Sequence, residues 1–176
     1  LISLLVAFTM TTMQPAAGAA DQGPWPAPVP GFTPPATGEH PRLLFRKGDV
    51  EALRRRAQTP VGKAMIARLK FLLGGGEFMP DEFNENPPVN IGAKGPDQLK
   101  PGAFTVNHAA GFGLLYQLTG DKRYAELARK CLDKVFEGQV DRDERYSWKA
   151  PGTGFRLSGV HQGVALAYDL CYDAWP

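Results

Sequence analysis

The sequence is poor in the residues on which most metal and nucleophilic sites depend. Its 176 residues include three histidines and two cysteines, and His40, His108 and His161 do not have the spacing of zinc ligands. No Gly-x-Ser-x-Gly or Walker-type loop occurs, which argues against the hydrolases and nucleotide-binding proteins that use these motifs. We therefore expect neither a metal nor a cofactor.

The sequence also lacks an uninterrupted apolar run of the roughly 20 residues needed to span a membrane. The N-terminal apolar run is broken by Thr9, Thr11 and Thr12 and is followed by small residues at 17–20, which is typical of a cleaved signal peptide. A membrane anchor is the competing interpretation. We expect residues 1–20 to be a signal peptide. We expect it to be truncated, because it lacks the initiator Met and the basic n-region of a complete signal peptide. The protein is then secreted or periplasmic, with no stable membrane insertion after cleavage.

Prolines and basic residues are concentrated in two neighbouring segments. Residues 21–39 are rich in proline and predict a semi-rigid linker. The net charge is only +2, but residues 42–70 hold nine basic against two acidic residues, an excess that can attract an anionic polymer. We favour the simpler interpretation that Arg54, Arg55 and Arg56 fan around a helix and face water. We do not expect a nucleic acid partner, because no basic–aromatic platform accompanies the block.

From His40 onward the apolar residues follow a helical period, and no convincing alternating strand occurs. Five helices are predicted: 49–58, 60–73, 103–118, 121–135, and one that begins near Phe155 or Ser158. The short link Thr119-Gly120-Asp121 predicts an antiparallel hairpin, and residues 77–102 predict a long loop. The predicted fold class is therefore all-α.

The two cysteines and the last helix give further expectations. Cys131 and Cys171 fall on the apolar stripes of predicted helices, which indicates two buried free thiols, although export would permit a disulfide. The last helix has no following partner, and the chain stops at Pro176 directly after it. We therefore expect a fragment whose residues 40–176 are one part of a larger helical domain.

Four segments in one order resemble a known family: residues 40–45 (HPRLLF), 118–124 (LTGDKRY), 146–148 (YSW) and 165–170 (ALAYDL), the last followed by Asp173. They resemble the start of the heparinase II/III-like polysaccharide lyases and the related alginate and chondroitin lyases. The resemblance implies that residues 40–176 open an incomplete α/α toroid of antiparallel helix hairpins. It also implies a large antiparallel β-domain, which this chain does not contain.

The resemblance implies cleavage of a uronic-acid-containing, anionic polysaccharide by β-elimination. This reaction needs an Asn, His or Arg to neutralise the uronate carboxylate, a Tyr or His to take the neighbouring proton, and a group that protonates the leaving oxygen. In the family, the catalytic Asn or His and Tyr lie on later hairpins, and a further His comes from the β-domain. We therefore assign no catalytic residue and expect them after residue 176.

Five residues are candidates for binding the substrate. Asn107 and His108 form a pair that can recognise a carboxylate, although they are better explained as polar residues that close a helix end. Trp148 and Arg156 flank a Pro-Gly turn, where an indole can stack on a sugar and a guanidinium can pair with a carboxylate or sulfate. The alternative is an ordinary loop whose Trp covers the core. For His161, a hydrogen bond at a helix end is the competing role.

Two other functions stay open beside the lyase. An α/α-barrel glycoside hydrolase needs two opposed carboxylates, and residues 141–144 offer acidic side chains only in a run shared with arginine. The other is a non-catalytic helical scaffold or carbohydrate-binding protein. If it were a solenoid, its sequence would repeat regularly, but we find only one good hairpin in the sequence. Gly111 and Gly113 within one helix indicate that something approaches its backbone, and we expect a neighbouring helix there in preference to a sugar.

Overall fold

The computed structural model describes residues 30–80, 107–139, 147–149 and 154–176, with the backbone alone for 154–157. The chain divides into two units, residues 1–34 and residues 35–176, and all elements below belong to the second. The described residues are helical and none of them forms a strand, which confirms the all-α prediction. None of the helices in these ranges is long and apolar enough to cross a membrane.

The described helices match the predicted order. They are α1 (Val50–Ala57), α2 (Pro60–Leu72), α3 (His108–Thr119), α4 (Lys122–Glu137) and α5 (Gly154–Cys171). Single 3-10 turns precede α1 (Lys47–Asp49) and follow α5 (Tyr172–Ala174). The predicted signal peptide, residues 81–102 of the predicted loop, and the predicted start of α3 at residue 103 lie outside the described residues.

Local sequence signals determine where these helices begin and end. The Thr59 side chain accepts a hydrogen bond from the Gly62 amide at 3.1 Å, as expected of an N-cap followed by proline. Asp121 accepts from the Arg123 amide at 3.0 Å and caps α4 in the same way. Between α3 and α4, Gly120 adopts φ 77°, a left-handed conformation that suits glycine at a helix C-terminus. The link that brings α4 back along α3 is therefore only two residues long.

The core lies around α3, which packs against α1, α4 and α5. Its fully buried apolar side chains are Ala109, Phe112 and Leu115 on α3, Ala125, Ala128, Cys131 and Val135 on α4, and Val160, Ala167, Leu170 and Cys171 on α5. Glycine lets α5 approach α3 closely, because a Cβ built on Gly113 would lie 3.0 Å from the Leu170 Cβ. A Cβ on Gly111 would lie 2.9 Å from Leu73. Protein therefore occupies the space beside both glycines.

Both cysteines are free and buried, as predicted. Burial raises the pKa of the Cys131 thiol and of the Cys171 thiol to about 12. Since the thiolate is the reactive form, these side chains act as small apolar core residues.

The prediction for the three consecutive arginines of α1 is wrong for one of them. Arg55 and Arg56 are exposed, but Arg54 is half-buried, and its Nε donates to the Gln117 carbonyl at 2.8 Å. This carbonyl is in the last turn of α3, where backbone acceptors lack intrahelical partners. Arg54 therefore joins α1 to the end of α3.

Candidate functional site

Asn107 and His108 lie at the start of α3 but in different environments. Asn107 is the exposed N-cap residue. His108 is buried, and its ring centroid lies 6.5 Å from that of Phe112 in the core. Of this predicted pair, only Asn107 has a side chain that is accessible to a ligand in the described structure.

Trp148 and His161, predicted separately, are brought together by the fold. Their ring centroids lie 5.6 Å apart in an edge-to-face arrangement, and the Phe136 ring also packs against Trp148, with centroids 5.0 Å apart. Beside them, the buried Ser147 accepts a hydrogen bond from the Lys149 amide at 3.3 Å and constrains this short segment. Only the backbone is described for the remaining candidate, Arg156, so its role stays a prediction.

These rings line a cleft of about 380 Å³ between α4 and α5. Its lining residues are Leu132, Phe136, Trp148, His161, Val164, Ala165, Tyr168 and Trp175. Trp148 is 37% exposed and Tyr168 is 51% exposed, so both present ring surface to solvent. Trp175 is held in place, because its indole Nε1 donates to the Ala125 carbonyl at 2.9 Å. None of the described residues that line the cleft is acidic.

An amphipathic pattern on α5 indicates part of this cleft. His161, Val164, Ala165 and Tyr168 follow i, i+3, i+4 and i+7 and therefore share one face of the helix. Tyr168 was not among the predicted binding residues, so this pattern is the signal that could have connected it with His161. Phe136 and Trp175 carried no local signal, because they reach the cleft from other elements.

A second cluster, which no local sequence pattern indicated, contacts the cleft through Tyr168. The buried Asp169 on α5 accepts hydrogen bonds from the amides of Arg42 and Leu43, at 2.9 Å each to Oδ2. His40 Nδ1 lies 2.7 Å from Oδ1 of the same carboxylate. The His40 ring also stacks on Tyr172, with centroids 4.0 Å apart. Each carboxylate oxygen is therefore engaged by the segment that leads into α1.

This His40–Asp169 cluster is suited to anchoring rather than to proton transfer. Both residues are buried, and the carboxylate already binds two backbone amides besides the imidazole. The cluster does contact the cleft, because Tyr168 packs edge-on against His40 at 5.7 Å and against Tyr172 at 5.5 Å. The buried pair therefore helps to fix the tyrosine ring that forms one wall of the cleft.

The arrangement of aromatic rings around a shallow cleft is suited to binding and not, by itself, to catalysis. Aromatic faces bind the C–H-rich face of a sugar ring, and an imidazole can donate to or accept from a hydroxyl or carboxylate. Within the described ranges, no group of three His, Cys, Asp or Glu side chains is placed to hold a metal ion. Comparison with protein-family models, with curated proteins and with solved structures finds no match to this chain.

Proposed function

We propose that the chain is part of an exported polysaccharide lyase that cleaves a uronic-acid-containing polysaccharide by β-elimination, and that α3–α5 belong to an α/α toroid. The observation that carries this proposal is the aromatic cleft, where two residues predicted to bind substrate, Trp148 and His161, lie 5.6 Å apart. Stacking against a pyranose and a polar contact from an imidazole are what a polysaccharide subsite requires.

The contact between two of the resemblance segments supports the same proposal. Residues 40–45 and 165–170 are far apart in sequence, yet His40 and Asp169 are joined at 2.7 Å. The α3–α4 hairpin, with its two-residue link, is also the repeating unit that a toroid needs. In this proposal the described residues bind and position the polymer, and groups on later hairpins perform the proton transfer.

Binding is tested with defined oligosaccharides of alginate, heparan sulfate and chondroitin sulfate. We expect at least one of them to quench tryptophan fluorescence saturably, and Trp148→Ala to weaken binding about tenfold, equivalent to about 1.4 kcal/mol. Phe78→Ala is the control, because Phe78 is also an exposed aromatic residue but does not line the cleft. If no uronate polymer binds, or if both variants weaken binding equally, the proposed subsite is wrong.

The reaction is tested on the longest natural form of the chain. A lyase leaves an unsaturated uronate at the new non-reducing end, which absorbs in the ultraviolet. New reducing ends without unsaturation would indicate a glycoside hydrolase instead. Retained binding without any cleavage would indicate a carbohydrate-binding protein.

A further inference from the structure

A second groove, which the proposed function does not use, lies between α1, α2 and α3. It has a volume of about 490 Å³. Leu53 of α1 and Leu114 and Leu118 of α3 line it together with a row on α2, Val61, Met65 and Leu69. The row follows i, i+4 and i+8, so the groove runs along about two turns of α2.

The wall of this groove is unusually open to solvent for an apolar surface. Val61 is 70% exposed and Met65 is 68% exposed, and none of the residues of α2 is buried. Small-molecule pockets enclose about 70–90% of their ligand's surface. The walls of this groove are too exposed to enclose a small ligand to that extent. A contiguous apolar surface of this kind is typical of a site for another macromolecule.

The edges of the groove are basic. Arg56 lines it from α1, and with 3.6 residues per turn Lys63 and Arg68 fall on the two sides of the apolar arc of α2. The sequence of α2 contains no acidic residue. Among the described residues, no carboxylate forms an ion pair with any of these three cations.

We propose that this groove docks an amphipathic helix of a separate partner protein, with an apolar stripe flanked by Asp and Glu. A row at i, i+4 and i+8 beside a concave surface is suited to apolar anchors that repeat along a helix. The basic edges require carboxylates beside the stripe. The described α-helices of a second copy do not supply them, because none of α1–α5 holds more acidic than basic side chains.

The test uses the 176-residue chain and two designed peptides of about 18 residues, with leucines at i, i+3, i+4 and i+7. One peptide carries glutamates beside the leucines, and the other carries lysines at the same positions. By fluorescence anisotropy we expect saturable binding of the glutamate peptide and at least tenfold weaker binding of the lysine peptide. Met65→Glu should weaken binding of the glutamate peptide about tenfold or more, and the triple variant R56E/K63E/R68E should reverse the preference.

Leu43→Glu is the matched control, because Leu43 is also more than half exposed but lies outside the groove. It should leave peptide binding unchanged, and circular dichroism confirms that each variant is folded. Failure of both peptides to bind, or equal binding of both, would overturn the proposal. Two further results would also overturn it: dimerisation of the unmodified chain that Met65→Glu abolishes, or binding to phosphatidylglycerol vesicles without binding to either peptide.

Discussion

Helices α2 and α3 are both rich in apolar residues, yet the fold places these residues in opposite environments. On α3, six residues are buried, including Phe112 and Leu115. On α2 none is buried, and Met65 is 68% exposed. Because burial, and not composition, determines the hydrophobic contribution, α3 stabilises the fold, whereas α2 presents apolar surface to solvent.

The cleft and the groove differ in the chemistry of the side chains that line them. The cleft between α4 and α5 is lined by aromatic rings and a histidine, which suits a polar ring with one apolar face. The groove between α1, α2 and α3 is lined by aliphatic side chains and has basic edges, which suits apolar anchors flanked by carboxylates. The chemistry of the lining therefore distinguishes the proposed sugar subsite from the proposed protein-docking surface.

The largest expected effect compares the core with the exposed groove wall. Phe112→Ala should lower the free energy of unfolding by about 3–5 kcal/mol, because a fully buried ring leaves a cavity. Met65→Ala should change it by less than about 0.5 kcal/mol. Urea denaturation monitored by circular dichroism measures both. A cost for Met65→Ala approaching that of Phe112→Ala would show that α2 is buried in solution.

The next comparison uses two aspartates four residues apart. Asp169→Ala should cost about 2–4 kcal/mol, because it leaves His40 and two backbone amides without their buried acceptor. Asp173→Ala removes only an exposed ion pair with Lys47 and should cost far less. Thermal melts of both variants at neutral pH measure this difference as a shift in Tm. Equal shifts in Tm would rule out a special role for the buried anchor.

A third comparison tests whether α2 is loosely attached as well as exposed. A Cβ on Gly62 would meet backbone atoms of α1, with the Ala57 Cα at 2.7 Å, so Gly62→Ala should cost about 1–3 kcal/mol. In Gly159→Ala, no heavy atom of a neighbouring described element lies within 4 Å of the new Cβ. That variant should gain up to about 1 kcal/mol in helix propensity. A neutral Gly62→Ala would mean that the α1–α2 corner is mobile.

These comparisons also show which features the sequence could predict. The Thr59-Pro60 start of α2 and the short link at Thr119-Gly120-Asp121 were predicted, because each depends on residues adjacent in sequence; the structure shortens that link to two residues, since Thr119 belongs to α3. The His40–Asp169 pair was not, because its partners are 129 positions apart and no local pattern relates them. Arg54 could have been predicted: three consecutive side chains span more than half a turn, so one of them meets a neighbouring helix.

For the candidate site, the sequence predicted individual residues but not which of them lie together. Trp148 and His161 were chosen for their chemistry, and the structure supplied their proximity. Phe136 and Trp175 could not be chosen, because their positions depend on how α4, α5 and the last 3-10 turn pack. A periodic pattern identifies the face of a helix, but tertiary packing decides whether that face meets the core, a cleft or solvent.

The smallest expected effect concerns the segment before α1, where Glu39 binds Arg46 through Oε1 at 2.6 Å. The hydrogen bonds from the Arg46 guanidinium, and then from the Ala36 amide, lower the pKa of the Glu39 carboxyl from 4.5 to about 2. The ionised form is therefore favoured by folding, so its stabilising contribution is present above about pH 4.5 and is lost as the pH falls towards 2. The difference in Tm between the unmodified chain and Glu39→Gln should be small and should shrink across this range. A carbon-detected NMR titration of Glu39 should give a midpoint near pH 2, and Arg46→Gln should return this midpoint towards 4.5. A midpoint near 4.5 in the unmodified chain would show that this exposed ion pair does not persist in solution.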